Sequence, residues 1–388
     1  MSTLSYEQAV SSWAAHLRAG GTTDWHRFRE HPAPAPDVDV RPLPDSVHLE
    51  LVRRLNLAAG GVAHPDLADQ VLATVAPGRG RVDIPLPWPD SPPRFGVVAM
   101  DPAALPTQEL VRLAVGVLAR LLPGVPTPPE EPTRPRWPLP WRRRFRLHGS
   151  PGTVAAARAS LLAQGLVESD WRPTHVVIAR PIEVMMAEHW AASVHAGGIL
   201  RWGTLWRRTQ AAAQLPARID VAAIAARLQD QVGPRRRGRH VHVVVARDAE
   251  TAQALTAGVL GARPPRITAT ADPSTSDLSR RLNRLTPLTS GPEQVRALSA
   301  SLARVLADVP TPGEAPAPVT PEGSLPWARA TAEAIREAIT EAGYPVHGDP
   351  EALLPAGIRC PETIDRDRTL DLAVHASLRA WQLQEGHT

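Results

Sequence analysis

A glycine-containing turn has residue types that suit the binding of an anion. The run His148-Gly149-Ser150-Pro151-Gly152-Thr153-Val154 stands between an apolar stretch and a helical pattern. In such a turn, backbone N–H groups and the positive end of the helix dipole point toward one space, which suits a phosphate or a sulfate. The candidate anion-binding residues are Gly149, Ser150, Gly152 and Thr153. The alternative is an ordinary tight turn between a strand and a helix.

Arg180 is a further candidate anion-binding residue. It directly follows a second apolar stretch, residues 174–179, and parallel sheets bind ligands at the carboxyl ends of their strands. The alternative is a surface arginine at the end of a strand. Glu188 and His189 lie on the helix that the sequence predicts after Arg180, and they are the candidates for a general base. Together with Glu183 and Arg180, these residues form the polar group that we expect to line a cleft at the carboxyl ends of the strands. His189 could instead be a structural histidine.

Arginine and tryptophan alternate just before the first apolar stretch. The candidate polyanion-binding residues are Arg134, Arg136, Arg142, Arg143, Arg144, Trp137 and Trp141. Guanidinium groups bind phosphates by charge and indoles stack on bases, so this segment could bind a nucleic acid. It could also bind an anionic glycan precursor or an anionic membrane surface. The alternative is a solvated linker whose tryptophans pack on the edge of a domain, and residues 235–237, all arginine, admit the same alternatives.

Several classes of chemistry are excluded by composition. All 43 basic residues are arginine, so Schiff-base chemistry and the phosphate-binding lysine of a Walker loop are impossible. Cys360 is the only cysteine, which excludes an internal disulfide and a cysteine-based zinc or iron–sulfur site. His240 and His242 lie on one face of a predicted strand, but the spacing supplies no third ligand, so we expect no metal site.

The elements that must position these residues follow from hydrophobic patterning. The predicted strands are residues 145–148, 174–179 and 240–246, and helical patterns separate them. The second and third of these strands each end in four successive apolar residues, and such runs without polar alternation are typical of a parallel sheet buried on both faces. The sequence therefore predicts an α/β domain over residues 143–308, with a small parallel sheet and flanking helices.

Helical patterns on both sides of this domain predict three parts. We expect a mostly helical N-terminal region over residues 1–122 and a helical C-terminal region over 324–388. Linkers rich in proline, at 123–142 and 309–323, separate these regions from the α/β domain. Neither a secretory signal nor an apolar stretch of membrane-spanning length is present, so the expected localisation is cytoplasmic.

Residues 174–190, THVVIARPIEVMMAEHW, resemble the second conserved block of the sulfotransferase superfamily, which uses a phosphoadenosine phosphosulfate donor. The likeness is greatest to the sulfotransferase-like proteins of actinobacteria. Residues 197–202, 239–245 and 276–284 extend the resemblance, which covers about residues 144–290. It implies a P-loop-like three-layer sandwich in which Arg180 binds the 3′-phosphate of the donor.

Two departures from the family pattern imply a degenerate member. The family loop reads Gly-x-Pro-Lys-Ser/Thr-Gly-Thr-Thr, whereas Gly149-Ser150-Pro151 here runs straight into Gly152-Thr153-Val154. The lysine and its neighbour are therefore missing. In addition, the donor-binding serine of the family lies eight residues after the arginine, where this chain has Glu188. A carboxylate beside a phosphate is repulsive unless a cation intervenes.

The resemblance and its departures together predict a catalytically degenerate protein with a binding or accessory role, for instance in the modification of cell-envelope polysaccharide. Its expected partners are a nucleotide, an anionic glycan or a transferase protein, and an adenosine nucleotide is the candidate cofactor. One alternative is an active transferase of the same fold that uses another nucleotide-linked donor. It would bind the anion through Arg180 and use Glu188 or His189 as the base. The other alternative is a nucleic-acid or polyanion binder that uses residues 134–146.

Overall fold

The computed structural model describes residues 5–31, 44–74, 84–88, 98–126, 143–232, 241–264, 272–285, 292–309, 320–355 and 364–386. The helices in these ranges are α1 (Tyr6–Arg18), α2 (Trp25–Glu30), α3 (Ser46–Ala58), α4 (Pro65–Leu72), α5 (Thr107–Leu121), α6 (Pro151–Ala163), α7 (Ile182–His195), α8 (Trp202–Ala211), α9 (Val221–Val232), α10 (Ala249–Leu260), α11 (Pro273–Asn283), α12 (Pro292–Ala307), α13 (Leu325–Glu341) and α14 (Arg366–Glu385). The strands are β1 (Arg144–Gly149), β2 (Val167–Glu168), β3 (Thr174–Ala179), β4 (Val241–Val245) and β5 (Val346–Gly348).

The described strands form one five-stranded sheet of order β2-β1-β3-β4-β5, and every neighbouring pair is parallel. This confirms the predicted α/β class with a small parallel sheet and flanking helices. Val177 and Val243 face one apolar cluster, built with α7, α8, α9 and α13, while Val176 and Val244 face another, built with α6 and α10. Because both faces are covered, valine is favoured at successive positions of β3 and β4.

Strands β2 and β5 were not predicted, because two and three residues are too few for a recognisable pattern. Each is held by its neighbour. Arg144 of β1 pairs with Val167, and Val244 of β4 pairs with His347. Strand β5 comes from the segment that we predicted to be a separate helical region, so part of that segment belongs to the sheet.

The chain divides into two compact units whose bounds differ from the predicted domains. One unit, which we call the helical unit, comprises residues 1–129, 277–312 and 365–388, and the other, the sheet unit, comprises residues 130–276 and 313–364. Helices α12 and α14 therefore belong with the N-terminal helices, while α13 belongs with the sheet. The reason is the pattern of buried faces, since Leu302 and Leu370 lie in one apolar core with α5, whereas Ile335 lies in the core under the sheet.

The helical unit has an extensive core of its own. Trp13 of α1 and Trp25 of α2 are 0 % and 1 % exposed, and their ring centroids lie 5.2 Å apart. Helix α1 begins at a capping box in which the Ser5 hydroxyl accepts from the Gln8 N–H and the Gln8 side chain accepts from the Ser5 N–H. Among the described helices of the chain, none is long and apolar enough to cross a bilayer.

The order of the strands places a crevice between β1 and β3. From β1 the chain runs through α6 to β2 on one side, and then returns to β3 on the other side of β1. In open parallel sheets, the point at which the strand order reverses leaves a crevice at the carboxyl ends of the strands, where ligands bind. Gly149 and Ala179 end the two strands at this point, so the predicted anion-binding residues meet at this crevice.

Candidate functional site

The turn after β1 requires a glycine. Gly149 has a φ of +101°, and the N–H of Ser150 donates to the carbonyl oxygen of Ile178 in β3 at 3.1 Å. A Cβ atom on Gly149 would lie 2.1 Å from that same carbonyl oxygen. Both the backbone angle and the close approach of β3 therefore exclude a side chain, and the turn directs Ser150 into the crevice.

The N-terminus of α6 is capped by a residue from another helix. Ser150 is the N-cap residue, but its side chain makes no capping bond to its own helix. Instead, Glu188 of α7 accepts at Oε2 from the backbone N–H of Thr153 at 2.8 Å and from the hydroxyl of Ser150 at 2.7 Å. A carboxylate at this position satisfies an otherwise unpaired N–H group and lies favourably in the field of the helix dipole.

Arg180 binds the other oxygen of the same carboxylate. Its Nη1 donates to Glu188 Oε1 at 2.8 Å, and the hydroxyl of Thr153 donates to that oxygen at 2.8 Å. Its Nη2 donates to the carbonyl oxygen of Arg247, after β4, at 3.2 Å. We call Ser150, Thr153, Arg180 and Glu188 the Glu188 cluster. Its side chains are buried, and because Arg180 is 5 % exposed, the alternative that it is a surface arginine is wrong.

The four donors fill the hydrogen-bonding capacity of the carboxylate. An ionised carboxylate has about four acceptor sites, and each oxygen of Glu188 accepts two hydrogen bonds. Gly152 allows this approach, since a Cβ on it would lie 3.0 Å from Glu188 Oε2. The candidate anion-binding residues thus do come together, but the anion that they surround is Glu188 itself.

His189 has a different environment. Its Nδ1 atom is buried and has no hydrogen-bond partner in the described part of the chain. Burial lowers the pKa of His189, and the nearby Arg218 lowers it further. Within the described residues, no hydrogen bond or ion pair joins His189 to the Glu188 cluster, so the two candidate bases do not form a single catalytic group.

Two pairs of histidines span neighbouring strands. His148 Nε2 of β1 lies 3.2 Å from His175 Nδ1 of β3, and His242 Nδ1 of β4 lies 3.0 Å from His347 Nε2 of β5. The sequence did not indicate these pairs because the partners are far apart along the chain. His240 lies outside the described residues, and the described part contains no group of three or more His, Cys, Asp or Glu side chains that could hold a metal ion.

The pairing of His148 predicts a loss of stability in mild acid. Burial lowers the pKa of His148 to about 4, helped by the nearby charges of His175, Arg146, Arg227 and Arg158. An unfolded chain restores a pKa of about 6.5, so between these values the unfolded state binds more protons. Stability of the sheet unit should therefore fall as the pH drops from about 6.5 toward 4. Thermal melts across this range measure it.

A substitution isolates the contribution of His148 to this pH dependence. His148→Gln is expected to flatten the dependence of the melting temperature on pH, because the glutamine does not titrate. His26→Gln is the matched control, since the His26 side chain is 62 % exposed on α2. An equal pH dependence in the His148→Gln variant and in the unsubstituted chain would contradict the assignment.

Of the predicted polyanion-binding residues, only Arg143 and Arg144 lie within the described residues. Arg143 donates from Nη1 to the carbonyl oxygen of Leu260 at 2.8 Å, which ties it to the end of α10. Arg144 instead lies over the ring of Trp171, with its Cζ atom 4.1 Å from the ring centroid. The sequence did not single out Trp171. Arg134, Arg136, Trp137, Trp141 and Arg142 lie outside the described part, as do residues 235–237.

Comparisons of the chain with models of known protein families, with curated proteins and with solved structures give no match. The resemblance of residues 144–290 to sulfotransferases therefore stays a prediction from motif residues. The function has to be inferred from the geometry of the Glu188 cluster and from the surfaces of the sheet unit.

Proposed function

We propose that the chain is a catalytically degenerate, sulfotransferase-like protein that acts as a binding or accessory protein. In this proposal the sheet unit is a P-loop-like, three-layer sandwich that no longer binds a nucleotide-linked donor, and its setting is the modification of cell-envelope polysaccharide. The loss of donor binding is inferred from one observation. The Glu188 carboxylate accepts four hydrogen bonds from the turn and from Arg180, and these groups would otherwise hold a phosphate.

A phosphate could enter only if Glu188 left the cluster. Two anions about 4 Å apart repel by about 4 kcal/mol at the effective dielectric constant of a protein surface, and more when both are buried. Asp248 adds to this cost. Its pKa is lowered chiefly by the backbone N–H of Thr251, and the nearby Arg180 lowers it as well. Asp248 is thus a second carboxylate that feels the charge of the same guanidinium group.

Acid–base catalysis by the cluster is disfavoured for a related reason. A general base needs a lone pair that faces the substrate, whereas the acceptor sites of Glu188 are filled. Both Nη atoms of Arg180 are also engaged, one by Glu188 and one by the carbonyl oxygen of Arg247. These contacts support a binding or accessory role over the alternative of an active transferase with another donor.

The test measures binding and transfer with the unsubstituted chain. Phosphoadenosine phosphosulfate, adenosine 3′,5′-bisphosphate and ATP are each expected to leave the melting temperature unchanged, because a ligand stabilises only the state that it binds. Radiolabelled sulfate from the donor should not appear on any acceptor. Saturable stabilisation by a nucleotide would contradict the proposal, and so would transfer of sulfate. If Arg180→Gln abolished the stabilisation, the nucleotide would be assigned to the crevice, and if it abolished the transfer of sulfate, the crevice would be assigned to an active enzyme.

A further inference from the structure

A tryptophan with two arginines over its ring lies at the end of the strands opposite the Glu188 cluster. Trp171 follows β2 and is 62 % exposed. The Cζ atom of Arg144 lies 4.1 Å from the centroid of its ring, and that of Arg172 lies 5.4 Å away. Arg144 begins β1 and Thr174 begins β3, so this group lies at the amino-terminal ends of the strands. We call Arg144, Trp171 and Arg172 the Trp171 platform.

The two guanidinium groups of the platform are not neutralised within the described residues. Neither Arg144 nor Arg172 has a carboxylate or a hydrogen-bond partner there. The acidic side chains nearby are bound by other arginines. Arg146 contacts Asp170 at 2.6 Å and Glu168 at 3.5 Å, and Arg158 also pairs with Glu168 at 3.1 Å. Among the described residues, the platform therefore has two positive charges without a carboxylate partner.

The position of the two arginines over the ring is compatible with accessible donors. A guanidinium group that stacks on an indole with its planar face keeps its N–H groups outward around the edge of the plane. Those N–H groups match the oxygens of a phosphate in a bidentate arrangement. The outer face of an arginine plane can at the same time stack on a nucleobase. The platform can thus bind a phosphate and a base at neighbouring points.

The backbone at Arg172 is held in a costly conformation. Its φ is +47°, a region that is unfavourable for a residue with a Cβ atom, and it directly precedes a proline. Glycine would relieve this strain at no steric cost. Strained residues of this kind concentrate at binding sites, where the surrounding structure maintains them. The fold thus keeps an arginine beside the exposed ring of Trp171, at a position where glycine would be unstrained.

We propose that the Trp171 platform binds single-stranded nucleic acid without sequence preference. A nucleic acid strand offers repeated phosphates together with aromatic faces, and these match the two arginines and the ring of the platform. A sulfated or carboxylated glycan offers the charge without the aromatic faces. In the sequence, Trp137 and Trp141 alternate with arginines just ahead of Arg144. This proposal does not depend on the state of the Glu188 cluster.

The experiment measures the anisotropy of a labelled oligothymidylate, about 20 nucleotides long so that it spans a full binding site. For the unsubstituted chain, the logarithm of the affinity should fall linearly with the logarithm of the salt concentration. Arg144→Gln should reduce the size of that slope by about 0.7, and Arg172→Gly should do the same. Trp171→Ala is expected to weaken binding about tenfold. Arg207→Gln, an exposed substitution on α8, is the control and should change neither value.

Two further measurements separate this proposal from its competitors. Arg172→Gly should weaken binding while the melting temperature stays equal or rises, because it removes a contact and relieves strain together; a parallel loss of both would indicate a structural role and overturn the proposal. The affinity for a sulfated oligosaccharide of equal charge is expected to be unchanged by Trp171→Ala. Absence of oligothymidylate binding at low salt would overturn the proposal, as would binding of the glycan alone.

Discussion

Glu188→Ala is expected to lower the free energy of unfolding of the sheet unit by about 3–5 kcal/mol, the usual cost of removing one partner of a buried ion pair. The substitution leaves the guanidinium of Arg180 buried without its carboxylate. It also leaves the hydroxyls of Ser150 and Thr153 and the N–H of Thr153 without their acceptor. Each unpaired buried group adds to the loss. Chemical denaturation, followed by a probe in the sheet unit, measures it.

A double variant separates the loss of the ion pair from the loss of packing. Arg180→Met combined with Glu188→Leu removes both charges and keeps much of the side-chain volume. Because no uncompensated charge remains buried, it should be less destabilised than the sum of its single variants by about 2 kcal/mol. Strict additivity of the two single variants would contradict the description of these residues as a coupled pair.

The same alanine variant should gain an anion site. Without the carboxylate, the end of α6 and Arg180 present their donors to an empty space, which suits sulfate or phosphate. At a sulfate concentration ten times its Kd, the variant should recover about 1.4 kcal/mol. Sulfate also stabilises proteins in general, so the comparison is with the unsubstituted chain in the same salt. An equal effect of sulfate on both proteins would show that Glu188 does not occupy an anion site.

Gly149→Ala has the second large expected effect, a destabilisation of about 3 kcal/mol or more. Forcing a side chain into a positive φ costs about 1–2 kcal/mol, and the added Cβ would also lie 2.1 Å from the Ile178 carbonyl oxygen. To relieve that overlap, β1 and β3 must separate and lose the hydrogen bond between the Ser150 N–H and Ile178. Thermal or chemical unfolding measures the change.

Gly258→Ala is the matched control for this prediction. Gly258 lies inside α10, and a Cβ atom on it would meet nothing within 4 Å. Alanine has the higher helix propensity, so this variant should be more stable by about 0.5–1 kcal/mol. If both glycine variants were equally stable, the close approach of β1 and β3 at the crevice would be wrong.

The longer strands and helices of the sheet unit could be predicted because their patterns are local. Residues 174–179 end in four successive apolar residues, and β3 has the predicted bounds. By contrast, the three residues of β5 are identified as a strand only by pairing with β4. The two compact units group the helices differently from the predicted domains for a similar reason. The sequence pattern of an amphipathic helix such as α14 indicates that one face is buried, but it does not indicate which core that face packs against.

The sequence indicated which residues come together at the candidate site, but not what they bind. Arg180 and the turn at 149–153 were singled out as anion ligands, and they do meet at one crevice. That Glu188 is the anion could not be predicted, because its eight-residue separation from Arg180 specifies no distance between the two side chains. The Trp171 platform was missed for the same reason, since Arg144 and Trp171 come from different segments.

The sequence by itself determined which chemistry is impossible and which residues could bind an anion. The absence of lysine excludes the phosphate-binding lysine of a Walker loop. Tertiary structure decided how the remaining donors are used. A buried carboxylate binds whichever donors the fold brings to it, because its charge must be compensated once water is excluded. Only the packing of α7 beside the end of α6 places Glu188 where those donors meet.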